Sequence, residues 1–144
     1  EIDAAIVAAI VDHLRSLPVP AAPTQGTTQH GEALFAAVGC AACHGNDFDG
    51  ATALRSDLLL HDLGEGLSSG AGEGSAGPRD WRTAPLAGLG HAVARGGGLL
   101  HDGRARTIEA AILWHDGEAA GARRRFSALT SADRRALLAF LASL

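Results

Sequence analysis

Hydrophobic positions recur at helical spacing at the two ends of the chain and at few places between them. In "DAAIVAAIVDHLRSL", residues 3–17, Ile6, Ile10, Leu14 and Leu17 continue a stripe begun by Ile2, while Asp12, His13 and Arg15 lie elsewhere. That is the pattern of an amphipathic helix. Pro18 and Pro20 end it, and 18–28 reads as an extended linker. A second helix is expected over about Gln29 to Val38, "QHGEALFAAV". Thr107 stands as the N-cap of another, running through about His115 with Glu109 in its favourable first turn. The clearest helix is the last, where Thr130 and Asp133 form a T-x-x-D variant of the capping box before "RRALLAFLASL".

The middle of the chain is less regular. Residues 54–63, "LRSDLLLHDL", read as a short helical turn, and Gly64 to Pro78 as a flexible loop with no packing capacity. Trp81 to Gly103 is a further irregular, glycine-rich stretch. Nothing alternates convincingly at period two, so the expectation is an all-α protein with long glycine-rich loops. The pattern of "AAIVDHLRSLPVP" echoes "RALLAFLASL", so the first helix looks like the closing helix of a domain otherwise missing. The expected organisation is an N-terminal helix at 1–20, a linker at 21–28 and one domain at 29–144.

Candidate chemistry centres on "GCAACHG", residues 39–45, which holds the only two cysteines. A thioredoxin-type disulfide site needs a βαβ setting, and none is expected here. A zinc site needs four ligands, usually a second C-x-x-C or an H-x₃₋₅-H pair, and neither exists. As a structural staple the pair is poor, because closing so short a loop removes little unfolded-state entropy. Haem attachment uses the residues as they stand: Cys40 and Cys43 form thioethers to the vinyl groups, and His44 ligates the iron. On a helical turn Cys40 and His44 share one face, and Ala41 and Ala42 let the backbone lie close to a ring. The cofactor expected is therefore one covalently bound haem c. Because the attachment apparatus works outside the bacterial cytoplasm, a periplasmic or otherwise exported protein is expected.

Composition agrees. The 144 residues fit one compact domain, and 47% hydrophobic content can form a core, yet there are four Phe, two Trp and no Tyr. Such a core rests on Ala, Leu and Val or is built around something else, and a porphyrin supplies a large apolar face. The net charge of −4 speaks against nucleic-acid binding. No apolar run approaches the roughly 18 residues needed to span a membrane. No signal peptide is visible, and a start at Glu1 without Met suggests a processed or truncated product.

The stretch "GEALFAAVGCAACH" is similar to the start of a class I cytochrome c, a helix with Gly31 and Phe35 running into the motif. Such a helix usually crosses the C-terminal helix, where Leu137, Phe140 and Leu141 are available. Beyond it, "SDLLLHDLGEGL", "WRTAPLAGLG", "LLHDGRARTIEAAILWHDGEA" and "FSALTSADRRALLAFLASL" resemble the C-terminal haem domain of bacterial di-haem cytochrome c peroxidases. The match is closest to the branch of di-haem or "thiol" oxidoreductases, and it covers most of 31–144. The resemblance implies a class I cytochrome c-like domain, with the first helix matching the segment that joins the two haem domains. Those enzymes use two haems, whereas this chain has one C-x-x-C-H and corresponds to the electron-relay half. Peroxidase activity does not carry over with the fold.

With no Met in the chain, the His/Met ligation common in cytochromes c is impossible. His13, His30, His61, His91, His101, His115 or an open position remain for the sixth ligand. His115 is favoured, because this family's distal ligand tends to sit at the end of that helix, where the peroxidases carry a Met or Tyr at or one residue before it (Trp114 here). The other reading of His115 is a solvated helix-end histidine. His61 and His101 are expected to hydrogen-bond a propionate or a loop carbonyl. Trp81, Arg82, Arg104 and Arg106 are candidates to satisfy propionates, against plain loop packing. Arg123 to Arg125 reads as a solvated face.

Three functions stand as expectations. The first is a monohaem electron-transfer domain with bis-His iron and a redox partner protein. The second is a haem peroxidase or oxidoreductase with an open or displaceable sixth position. The third is a structural haem subunit, docked through the first helix onto a second copy or into a larger assembly. An exposed stripe of that length would promote such association, so burial against the domain or another copy is expected.

Overall fold

The computed structural model describes residues 2–18, 28–45 and 54–144, so nearly all of the expected linker lies outside the described residues. Helix α1 (Ala4–Ser16) starts where the Asp3 carboxylate accepts the Ala5 N–H at 2.7 Å, and it ends at Leu17, ahead of Pro18. None of its residues is buried. The expected stripe exists as a helix face, with Ile6, Ile10 and Leu14 half or more exposed. No helix among the described residues is long and apolar enough to cross a membrane.

Helix α2 (Gln29–Val38) has the expected bounds and packs across the C-terminal α6 (Ser131–Ala142). Gly31 makes the crossing possible. A Cβ there would overlap the Ala136 carbonyl oxygen and lie 2.6 Å from Phe140 Cβ. One turn on, Phe35 meets Phe140 edge-to-face with ring centroids 5.5 Å apart. Val38, Ile108, Phe126, Leu137, Leu141 and Leu144 complete a single buried cluster with them. At the start of α6, Thr130 Oγ1 accepts the Asp133 N–H at 3.1 Å. The Asp133 carboxylate does not close the capping box; it accepts the Thr130 hydroxyl at 2.8 Å and pairs with His30 Nε2 at 2.9 Å, fastening α6 to α2.

Between these helices the structure corrects several expectations. The protein is mostly helical but not all-α: strands β1 (Leu60–Asp62) and β2 (Asp80–Arg82) pair antiparallel, with His61 opposite Trp81. Three-residue strands are too short for a period of two to register. Residues 54–63 are therefore not a helical turn: β1 follows an irregular segment with left-handed backbone at Arg55 and Leu58. The loop at 64–78 does pack, since its 3₁₀ turn at Glu65–Leu67 buries Leu67 to 1% exposure. Within the glycine-rich stretch lies a short helix, α3 (Leu89–Ala94), pressed so close to α6 that a Cβ on Gly90 would overlap the Ala142 carbonyl.

Helix α4 (Ile108–Trp114) is capped by Thr107 as expected, the hydroxyl accepting the Ala110 N–H at 3.0 Å, and His115 is its C-cap. Helix α5 (Ala120–Ser127) escapes sequence reading because "AGARRRFS" anchors through one buried side chain, Phe126.

The α2–α6 contact gives a direct test. In Gly31→Ala, the gain in helix propensity of about 1 kcal/mol should be outweighed by an overlap costing about 1–3 kcal/mol. The urea midpoint is expected to fall, and to fall further in Gly31→Val, at unchanged m-value.

Candidate haem-binding site

The end of α2 delivers the cysteine motif. Gly39 takes a left-handed φ of 96°, and its N–H donates to Ala36 O at 3.0 Å. Arg125 Nε donates to Val38 O at 2.7 Å, so at least this arginine of the expected solvated face caps α2. The chain then makes the 3₁₀ turn Cys40–Ala42, and the His44 N–H donates to Cys40 O at 2.9 Å. Cys40 and His44 thus share one helical turn, as their spacing implied.

Both thiols are free and partly buried. Burial pushes Cys40 up to about 11. Cys43 is also raised, by burial and then by the negative charges of Asp57 and Glu118. A reactive redox cysteine needs the opposite, a depressed thiol pKa.

His44 Nδ1–H donates to the Arg55 carbonyl at 3.1 Å. A carbonyl can only accept, so this nitrogen carries the proton and Nε2 keeps its lone pair. Burial, the largest influence, lowers the pKa of His44 and favours the neutral, ligating form. Arg55 reaches this position in a left-handed φ of 48°. For a non-glycine residue that costs about 1–3 kcal/mol and needs support from its surroundings. The support is visible. Its guanidinium binds Glu32 at 2.8 Å and lies 5.0 Å from the Phe140 ring centroid. The next residues are fixed as well, Asp57 N–H donating to Cys43 O at 2.9 Å and the buried Ser56 hydroxyl to Thr83 O at 2.7 Å.

His115 repeats the arrangement of His44. Its Nδ1–H donates to the Ala111 carbonyl at 2.7 Å, and Nε2 takes no part in that bond. A positive charge on His115 would oppose protonation of His44, so the two imidazoles share one electrostatic neighbourhood.

His61 differs. Nδ1 meets Glu118 Oε2 and Nε2 meets Asp57 Oδ2, each at 2.9 Å. Two carboxylate acceptors require both nitrogens to carry protons, and the bonds to Glu118 and then Asp57 raise the His61 pKa. An imidazolium has no lone pair for a metal. Ligand-type atoms of Cys43, Asp57 and His61 lie within 4.8 Å of one another, one donor short of a closed structural zinc site.

The residues expected to meet propionates are placed in the loops. Trp81 Nε1–H donates to Leu67 O at 2.8 Å, and its ring stacks on His101 with centroids 3.6 Å apart. Arg104 binds Asp102 and Gly66 O, both at 2.6 Å, with its guanidinium 4.8 Å from the Trp114 ring centroid. Arg82 donates to Leu58 O. Both arginines keep further N–H groups beyond these bonds. Arg55, Asp57, Glu118 and Arg125 were not among the expected site residues; only the left-handed turn at Arg55 explains its place, and no local motif announces it.

Over residues 1–144 the chain matches the model of the family described as "Di-haem oxidoreductase, putative peroxidase". The chain belongs to that family. No curated protein and no solved structure matches it. Membership of the di-haem oxidoreductases implies haem binding, and the donor set fits: two thiols and a neutral imidazole on one turn. Large apolar side chains also stand exposed next to the candidate histidines, Leu60 before His61, and Leu113 and Trp114 before His115. Cys40, Cys43 and His44 are the residues that would hold the group.

The His61 bonds make stability depend on pH. Because the folded pKa is raised above the ordinary 6.5, their contribution is complete below that value and is lost as pH rises through the raised one. The melting-temperature advantage of wild type over His61→Gln should therefore shrink between about pH 6 and about pH 8.

Proposed function

We propose that this chain is a class I cytochrome c-like, monohaem electron-transfer domain with iron held between His44 and His115. The observation that carries the reading is the matched pair of imidazoles. Each donates its Nδ1–H to a backbone carbonyl, which leaves Nε2 as the candidate ligand atom. The α2–α6 crossing into the cysteine motif supports the cytochrome c-like fold. Bound haem would supply a one-electron iron couple, at a potential below that of a Met-ligated cytochrome because imidazole donates more strongly to ferric iron. The chain's part is to fix both ligands and to cover the ring with Leu and Trp side chains. A redox partner protein and a periplasmic location belong to the same reading.

The family description favours a second reading, a peroxidase with an open or displaceable sixth position. The exposed face of α1 favours a third, a structural haem subunit docked through that helix.

Covalent attachment is tested first. The protein should exceed its polypeptide mass by one haem and keep it through acid–acetone extraction, and Cys43→Ala should lose most holoprotein. Extractable haem would sink the assignment. Ligation decides among the functions. Wild-type ferric protein is expected to be low-spin, and His115→Ala should turn it high-spin and open it to carbon monoxide. His101→Ala should not, its ring being stacked on Trp81. High-spin wild type that turns over peroxide would give the second reading its place.

A further inference from the structure

The two segments that carry His61 and His115 are locked face to face. Gly117, at φ 54°, has no room for a Cβ, which would overlap Asp62 O and come 2.8 Å from Gly64 N. Gly64, at φ 83°, is equally closed, a Cβ there falling 2.8 Å from Asp116 Cβ. Such backbone-to-backbone approach explains both glycines. Across the same contact, Glu118 uses both carboxylate oxygens on β1: Oε1 accepts the Asp62 N–H and Oε2 the His61 Nδ1–H, each at 2.9 Å. His61 is held from the other side by Asp57, whose own N–H is bonded to Cys43 O. One chain of hydrogen bonds therefore runs from the cysteine motif through Asp57 and His61 to Glu118, three residues beyond His115.

We propose that Asp57, His61 and Glu118 form a clasp that holds the 115–119 loop against β1 and so keeps His115 in place as sixth ligand. The clasp rests on the bis-His reading, and its members are positioning residues. An iron–imidazole bond at the mouth of a loop survives only as long as the loop stays closed. His115 is a C-cap residue with extended backbone, so α4 alone does not fix the loop beyond it. The bonds from Glu118 do. Both are charge-assisted or made by backbone, and Glu118 is exposed enough that its removal leaves the core untouched. This role differs from that of an ordinary surface ion pair because its effect should appear at the iron.

The test measures carbon monoxide association with the ferrous holoprotein and the high-spin fraction of the ferric form. Wild type is compared with Glu118→Ala, Glu118→Gln, His115→Ala and His30→Ala. Loss of the clasp in Glu118→Ala should speed carbon monoxide binding by about tenfold, the scale of one charge-assisted hydrogen bond. Far-ultraviolet circular dichroism and thioether content should stay the same. Glu118→Gln keeps one oxygen, enough for the Asp62 N–H but not for the His61 Nδ1–H as well, and should restore part of the slow binding. His30→Ala removes a histidine–carboxylate pair of the same 2.9 Å length elsewhere and should change nothing at the iron. If Glu118→Ala binds carbon monoxide like wild type while His115→Ala opens the iron, the clasp is refuted and bis-His ligation stands. If wild type is already high-spin and His115→Ala makes no difference, the bis-His reading fails and takes the clasp with it.

Discussion

The close crossing of α2 on α6 is the constraint from which the site is built. Only glycine at position 31 lets the helices approach until Phe35 and Phe140 touch edge to face. That aromatic pair is the surface on which the Arg55 guanidinium rests. Arg55 in turn offers its carbonyl to His44 from a backbone conformation it would not adopt alone. A packing decision made at one glycine thus sets the protonated nitrogen of an imidazole on another segment. The order of dependence is core, then strained turn, then ligand tautomer.

The regions around this axis are held by hydrogen bonds more than by apolar burial. Residues 54–119 contribute few members to the buried cluster, yet β1, β2 and the turn at Leu67 are joined by the Trp81, Ser56 and Glu118 bonds. Such a scaffold is specific in geometry and modest in stability, since each bond adds only about 0.5–1.5 kcal/mol net. It suits a region that must close around a large apolar group while leaving leucine and tryptophan faces uncovered for it.

The helical ends of the chain were legible because their signals are local. The helix over Gln29–Val38, the Thr107 cap and the Thr130 cap rest on signals within a few residues of the structure they determine, and each is present where expected. The cysteine motif was legible for the same reason. The middle was not. A three-residue strand carries no readable period, and α5 has a single buried anchor. The turn that buries Leu67 is held by a bond from Trp81, 14 residues on, which no local pattern announces. His61 shows the limit most clearly. Its two partners are Asp57, four residues away, and Glu118, on another loop; together they favour its cation, and no local pattern brings in the second.

The histidines are finally sorted by the chemistry of their partners. A backbone carbonyl accepts one N–H and leaves the other nitrogen out of the bond, the arrangement of His44 and of His115. Two carboxylates each accept an N–H bond, which favours the cationic form of His61. Neutral and charged imidazoles are placed side by side without conflict because the cation's charge is absorbed by Asp57 and Glu118. Burial then completes the division at His44, lowering its pKa while the paired carboxylates raise that of His61. On the proposed reading a ligand is kept unprotonated and a clasp charged, and giving the imidazoles different acceptors serves both needs.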